Sequence, residues 1–331
     1  MMLWLAFALC AVAILVAGSQ LSRYGDEIAR LTGLGGTWIG MVLLATVTSL
    51  PELMTGLSAV TVAGAPEVAV GDVLGSCVFN LAMIALLDVL QRPASVYSLA
   101  GRGHILGTAF GALMLALVGG ALLIGPTFKL TLLHLSIVTP ATLLLYLFAM
   151  HTIYHYERAQ RVAQEQPAPT APGALRCALV RYATAAAVVV GAAVALPFLA
   201  VRIAQALGWT QGFVGTSLVA MTTSLPELTV TLAAWRLKAV DLAIGNLIGS
   251  NLFNLAILAI DDIAYLPGPL LSQVSTAHAF STFAAIGMSA AVIVALMAPP
   301  RARVLNVASW TSVLLVLLFF ANGWIHLRHP A

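Results

Sequence analysis

Long apolar stretches alternate along this chain with short breaks of polar residues, glycine or proline. A helix crosses the hydrocarbon of a bilayer with about 20 residues. Read between the breaks, the pattern predicts ten membrane-spanning helices, at residues 3–19, 36–63, 67–90, 103–124, 127–150, 182–206, 211–235, 239–264, 276–298 and 304–326. The first stretch reads as a retained span. Its first basic residue is Arg23, so it lacks the positive region that opens a signal peptide.

Composition agrees with that pattern. Hydrophobic residues make up 61% of the 331, and charged residues only 8%, against roughly 25% charged in a soluble domain. The fold class is therefore an all-α integral membrane protein, with the lipid bilayer as its solvent. A net charge of +3 without a basic stripe excludes a nucleic-acid partner. Cys10, Cys77 and Cys177 lie far apart, show no metal or redox spacing and read as packing residues. No cofactor is expected, and nothing in the sequence reads as an enzyme.

Of the 15 Lys and Arg, all but Lys129, Arg202 and Arg328 fall in one alternate set of loops. Cytoplasmic loops carry the excess of basic residues, so that set is cytoplasmic and both termini are expected on the other side. The one substantial polar segment runs from about His151 to Arg176 and includes Gln164, Glu165, Gln166, Pro167 and Pro169. Such Pro, Ala and Gln content predicts a flexible linker. It divides the chain into a first five-span half at 1–150, a cytoplasmic linker at 151–181 and a second five-span half at 182–331. Compact loops and the absence of Asn-x-Ser/Thr sequons fit a bacterial inner membrane.

The two halves repeat one another. Ala45-Thr46-Val47-Thr48-Ser49-Leu50-Pro51-Glu52-Leu53 is matched by Ala220-Met221-Thr222-Thr223-Ser224-Leu225-Pro226-Glu227-Leu228. Gly71-Asp72-Val73-Leu74-Gly75-Ser76-Cys77-Val78-Phe79-Asn80 is matched by Gly245-Asn246-Leu247-Ile248-Gly249-Ser250-Asn251-Leu252-Phe253-Asn254. The offset is 175 residues from Glu52 to Glu227 and 174 from Asn80 to Asn254. Two motifs recurring in order at nearly one offset mark an internal repeat. The copies lie five spans apart, and an odd number reverses direction across the membrane. The expectation is two inverted-topology five-helix repeats, a plan of secondary transporters that bind substrate near the midplane at the repeat interface.

The motif residues suit hard cations. On a helix Ala45, Thr48, Ser49 and Glu52 share a face, as do Ala220, Thr223, Ser224 and Glu227. Pro51 and Pro226 remove a backbone donor, kink the helix and free the carbonyls of Val47 and Thr222. Ser76 and Asn80 are one turn apart on the next span, as are Ser250 and Asn254. All these donors are oxygens, which favour calcium, sodium or magnesium over zinc or copper. A glutamate inside the membrane costs at least about 2.5 kcal/mol at the span centre, which argues that Glu52 and Glu227 are functional. For Thr48, Ser49, Thr223 and Ser224 a second reading is hydrogen bonding back to their own helix; for Asn80 and Asn254 it is interhelical glue. Gly71, Gly75, Gly245 and Gly249 read as close-packing positions. Asp72, whose counterpart is Asn246, either attracts cations at an outer mouth or is hydrated at the interface. Asp88, Asp261 and Asp262 read as interfacial, paired with nearby arginine.

The paired Thr-Ser-Leu-Pro-Glu and Gly-x-x-x-Gly-Ser-x-x-Phe-Asn segments resemble the two alpha repeats of the sodium/calcium exchanger membrane family, within the Ca2+:cation antiporter superfamily. The resemblance is dense over residues 36–90 and 211–264. It implies a Ca2+/Na+ antiporter working by alternating access, with ions bound between spans two, three, seven and eight. Glu52 and Glu227 would then hold calcium or sodium. Thr48, Ser49, Ser76, Thr223, Ser224 and Ser250 would supply mainly sodium ligands, with the backbone oxygens of Ala45 and Ala220, and Asn80 and Asn254 would complete the centre. Long spans one and six would slide across the other eight.

This chain departs from the family pattern at Val47 and Thr222, where glycine commonly precedes Thr-Ser, and at Cys77, where Asn251 keeps the frequent asparagine. Asparagine stands at both Asn80 and Asn254, where some prokaryotic relatives carry an aspartate at the second. Alternatives that keep the fold are a Ca2+/H+ exchanger or a K+-dependent one. A cation channel would need a ring of carbonyls or carboxylates about an axis, and an intramembrane hydrolase would need a base beside its serine.

Overall fold

The computed structural model describes residues 2–124, 131–132, 135–162, 173–206, 220–304 and 307–328. Helix α1 (Met2–Thr32) runs well beyond the predicted span at 3–19. Its buried residues Ile14, Ala17, Gly18, Leu21, Ser22, Gly25, Ile28 and Ala29 keep a spacing of three and four. The polar residues after 19 therefore occupy the outer side of a continuing amphipathic helix rather than a loop. Asp26 and Arg30, 3.4 Å apart, bridge one turn of that side. Gly33 at φ 66° closes the helix in the left-handed conformation open to glycine. At 1.5 Å per residue α1 is about 46 Å long, more than the hydrocarbon thickness.

The second apolar stretch is broken. It comprises α2 (Gly36–Ile39), a π-helical turn at Gly40–Leu44, α3 (Ala45–Thr48) and α4 (Leu50–Ser58), with a second π-helical turn at Ala59–Ala63. There follow α5 (Pro66–Leu90), α6 (Val96–Leu99), α7 (Gly103–Ile124), α8 (Val138–Val162) and α9 (Ala174–Ala206). After them come α10 (Ala220–Thr223), α11 (Leu225–Arg236), α12 (Val240–Ala264), α13 (His278–Met297) and α14 (Trp310–Arg328). Among the described residues seven helices are long and apolar enough to cross a membrane, counting Gly36–Ala63 as one. Trp310–His326 is apolar but shorter.

Several predicted boundaries move. Helix enters both ends of the segment read as a linker, since α8 continues to Val162 and α9 begins at Ala174; residues 163–172 lie outside the description. Residues 211–219 of the predicted seventh span also lie outside it. In the predicted spans at 127–150 and 304–326 the described residues ahead of the helix are strand or turn; residues 127–130, 133–134 and 305–306 lie outside the description. Helices α8 and α14 are each preceded by a two-stranded antiparallel pairing, β1 (Thr131–Leu132) with β2 (Leu135–Ser136) and β3 (Arg303–Val304) with β4 (Ala308–Ser309). A short apolar run has no periodicity that separates strand from helix, so these hairpins read as span ends.

The chain divides into two compact units, Met1–Pro51 with His151–Ser250, and Glu52–Met150 with Asn251–Ala331. In the first, α1 packs along α9 and α11. Ser22 Oγ donates to Val230 O at 2.8 Å, and a Cβ on Gly18 would come within 2.9 Å of Thr229 Cγ2. The outward faces of α1 and α9 are apolar, with Trp4, Leu5, Leu9, Val180 and Phe198 exposed, as lipid-facing helices require. Residues 36–44 meet α12 backbone to backbone. A Cβ on Gly249 would lie 2.4 Å from Met41 Cα and O, and one on Gly40 would lie 2.6 Å from Leu242 O. These contacts are with main chain and cannot yield by a rotamer change. Gly249→Ala is accordingly expected to lose about 1–3 kcal/mol of stability through overpacking. Gly287→Ala, whose Cβ would rest 3.8 Å from Leu318 Cδ1, should lose little. Thermal loss of the monodisperse detergent-solubilised species would measure both, and equal melting of the two variants would refute the contact.

In the second unit α5 packs against α13 and α14, and α7 against α13. Asp88, at the end of α5, is buried and fastens a loop to a hairpin. It accepts from Ser95 Oγ (2.7 Å), Val96 N (3.1 Å), Ser309 N (2.9 Å) and Ser312 Oγ (2.8 Å). Arg303 lies 3.9 Å from it and donates to the carbonyls of Gln91 and Ala94. Asp262 does the same at the end of α12, accepting from Ser136 N, Thr139 Oγ1 and Leu270 N. Both carboxylates were expected at the interface beside arginine. Asp88 does have an arginine, whereas Asp262 is held by backbone amides and a hydroxyl. Each carboxylate reaches the hairpin of the other sequence repeat.

Candidate functional site

The motif helices are interrupted at equivalent serines. Ser49 (φ −92°, ψ 8°) separates α3 from α4, and Ser224 (φ −83°, ψ 5°) separates α10 from α11. Both lie in the sparsely populated bridge region, where functional residues often sit. The prolines at 51 and 226 explain the breaks: each lacks a backbone donor and stands in the first turn of the helix that restarts. Glu52 and Glu227 consequently occupy first turns, where the helix dipole favours a carboxylate by about 0.3–1 kcal/mol, more when partly buried. The repeated sequence is thus matched by a repeated backbone geometry.

The first unit carries Ala45, Thr48, Ser49, Ala220, Thr223, Ser224, Glu227 and Ser250. Ser49 Oγ donates to Glu227 Oε1 at 3.0 Å, so a hydroxyl of the first motif holds the carboxylate of the second. Thr48 Oγ1 lies 3.3 Å from Asn246 Oδ1 and 3.4 Å from Ser250 Oγ, and also 3.3 Å from Ala45 O on its own helix. The single Thr48 hydroxyl proton thus has acceptors both on its own helix and on α12, and can serve one of them at a time. The Ala45 carbonyl also accepts from Ser49 N at 3.0 Å. Thr223 and Ser224 are buried, and Ala220 opens α10. Glu227, Ser250 and Thr48 are buried as well.

The second unit carries Glu52, Ser76, Asn80 and Asn254, all buried. Asn80 Nδ2 donates to Asn251 Oδ1 at 3.0 Å, and Asn251 Nδ2 donates to Cys77 O at 3.1 Å. Asn80 is therefore interhelical glue through its nitrogen, while its Oδ1 has no hydrogen-bond partner among the described residues. Neither amide atom of Asn254 has one there. A buried amide oxygen left without a donor is an acceptor suited to a bound cation. Among the described residues no three of His, Cys, Asp and Glu converge to cage a metal ion. The available ligands are instead hydroxyls, amides and single carboxylates. Cys10 is half-buried and Cys77 buried, as packing residues should be, whereas Cys177 is exposed on α9.

Two residues matter here beyond the motif positions first singled out. Asn246 lies against Thr48 and donates to Thr231 Oγ1 at 3.0 Å, and Asn251 links Asn80 to Cys77. Asn246 precedes Ser250 by four and Asn254 by eight, so its place on their helix face was available as a signal.

Comparison with known proteins gives one answer. The model of the family described as sodium/calcium exchanger protein matches residues 2–155 and 178–326. The chain is 30% identical over 268 residues to CaxA of Alkalimonas amylolytica, a protein whose name places it among the antiporters; the match covers 78% of this chain and 79% of that one. It is 28% identical over 270 residues to the inner membrane protein YrbG of Escherichia coli, covering 76% and 78%. A solved structure of the sodium-calcium exchanger NCX_Mj, soaked with sodium and calcium, superposes with a TM-score of 0.74 at 22% identity, covering 100% of this chain and 99% of that one.

Proposed function

Because the chain belongs to the sodium/calcium exchanger family, a family of membrane cation antiporters, we propose that it exchanges Ca2+ for Na+ by alternating access. Glu52 and Glu227 would bear the ion's charge. Thr48, Ser49, Ser76, Thr223, Ser224 and Ser250 would supply hydroxyls, with the carbonyls of Ala45 and Ala220, and Asn80 and Asn254 would complete the ligand set. The observation that carries this reading is the Ser49–Glu227 hydrogen bond of 3.0 Å, which joins the two motif copies at a buried carboxylate. The amide oxygen of Asn80, which has no hydrogen-bond partner among the described residues, supports it. A carboxylate and hydroxyls can shed their mutual hydrogen bonds for an ion without exposing a buried charge to lipid.

In this reading ten spans form two inverted five-helix repeats. The matched breaks at Ser49 and Ser224 and the reciprocal Asp88 and Asp262 anchors support the repeat. Both termini lie on the non-cytoplasmic side, supported by the bias of Lys and Arg. The long α1 and α9 are the elements that slide.

Radioactive calcium uptake into proteoliposomes tests the proposal. Vesicles loaded with sodium and diluted into sodium-free buffer are expected to take up calcium, while potassium-loaded and acid-loaded vesicles stay near background. Uptake driven only by the acid interior would make the coupling ion a proton, and uptake needing potassium would make the exchange K+-dependent. Calcium flux without any counter-ion would indicate a channel.

A further inference from the structure

Near the end of α8 two histidines stand one helical turn apart. His151 and His155 are spaced i, i+4, which puts them on one face of the helix. Ile153 between them has no exposed surface, so the core side of α8 lies elsewhere, and both histidines are exposed. Their rings lie with centroids 4.3 Å apart. Neither ring makes a hydrogen bond among the described residues. The other close pair, His278 and His326, is already engaged, with Nε2 atoms 2.7 Å from Glu67 Oε2 and Ser281 Oγ. Glu157, Arg158 and Gln160 follow His155, so this end of α8 meets water rather than hydrocarbon.

Two imidazoles at this spacing on one helix face can close on a single metal ion, because side chains four residues apart are neighbours. Zinc–nitrogen bonds of about 2.0–2.1 Å put two ligating ring centres about 5 Å apart around a tetrahedral ion. The rings of His151 and His155 need only a small rotation and separation to reach that arrangement. No third His, Cys, Asp or Glu joins them to complete a metal cage among the described residues. Water therefore fills the remaining positions, and the site is open and reversible. Ligand type selects the ion: imidazole suits copper, zinc and nickel, whereas calcium and sodium take oxygen. Affinity along the divalent series peaks at copper. The pair is thus chemically distinct from the oxygen donors of the motifs. His155 also meets Tyr154 edge-on at 5.5 Å, and Tyr154 meets Trp38 of α2 at 5.2 Å, at the head of the stretch that carries Thr48 and Ser49.

We propose that His151 and His155 form a two-histidine site for a divalent transition-metal ion, Cu2+ or Zn2+, at the polar end of α8. One ring nitrogen of each residue replaces a water on the ion, and no electron is transferred. The bound ion clamps one turn of α8 beside the Tyr154–Trp38 contact. The site is independent of the exchange reading and is decided by metal binding alone.

Full-length protein in detergent, with no affinity tag, provides the test. Titrated with Cu2+ and followed by electron paramagnetic resonance, wild type should show a copper signal coupled to two imidazole nitrogens that the double variant His151→Ala/His155→Ala lacks. Each single variant should bind copper, and zinc by calorimetry, at least about as much more weakly as the 10–100-fold that loss of an outer-shell partner costs a metal site. Excess calcium should displace neither metal. Both histidines are exposed, so the metal-free variants should melt with wild type. His151→Ala combined with Ala159→His restores the four-residue spacing one turn further on, and should restore the two-nitrogen signal. A double variant with the wild-type spectrum and affinity would overturn the site. Failure of the respaced variant to recover copper, with its melting intact, would overturn the spacing argument, and displacement by calcium would overturn the selectivity.

Discussion

If the chain exchanges calcium for sodium as proposed, sodium-driven calcium uptake is expected to fall at least about 30-fold in Glu227→Gln, the equivalent of roughly 2 kcal/mol or more, because one partner of a buried charge interaction is removed. Glutamine fills the same volume and still accepts the Ser49 hydrogen bond through its amide oxygen. What disappears is the charge, in a residue with 1% of its surface exposed. A soft reduction would follow if Glu227 served packing alone. Ser49→Ala provides the contrast. It keeps the carboxylate and removes one hydrogen bond to it, a loss of about 1.5–3 kcal/mol when the acceptor is charged. Its defect should appear mainly as a higher calcium concentration for half-maximal uptake, while Glu227→Gln should stay inactive at saturating calcium. Equal activity of Glu227→Gln and wild type in sealed vesicles would remove Glu227 from the ion path.

The largest effect on stability is expected at Asp88. Asp88→Ala strands the donors Ser95 Oγ, Val96 N, Ser309 N and Ser312 Oγ, and leaves Arg303 without its carboxylate. Breaking a buried pair in this way costs about 3–5 kcal/mol. The variant should melt far below wild type in detergent, or fail to accumulate as a monodisperse species. Asp88→Asn keeps one acceptor but turns an amide nitrogen toward donors, so it should fall between the two. Wild-type melting of Asp88→Ala would show that the loop and the β3–β4 hairpin are held by other contacts.

Apolar spacing made most of the helices legible, and the repeated Leu-Pro-Glu made the breaks at Ser49 and Ser224 legible through the missing proline donor. The end of α1 was not, because reading stopped at the first polar residues, although Leu21, Gly25 and Ile28 continue the buried stripe. The hairpins escaped because their strands are two residues long and apolar. Within the candidate site, residue types and helix faces pointed to Thr48, Ser49 and Glu227. Their actual partners lie 178 to 202 residues away in sequence, a distance that periodicity cannot carry. Asp261 reads from the sequence as an interfacial charge, whereas the structure buries it completely, against Gly56 of α4.

The crossed loop anchors also set a schedule for synthesis. Asp88 leaves the ribosome early, yet its partners Ser309 and Ser312 follow 221 and 224 residues later. At about 5–20 residues per second that is a wait of roughly 10–45 s, during which a carboxylate destined for burial has only part of its final set of donors. The first half therefore enters the membrane unfinished, with the end of α5 hydrated or escorted. The nascent chain locks only as its last helix arrives, so neither half is a folding unit that the other merely decorates.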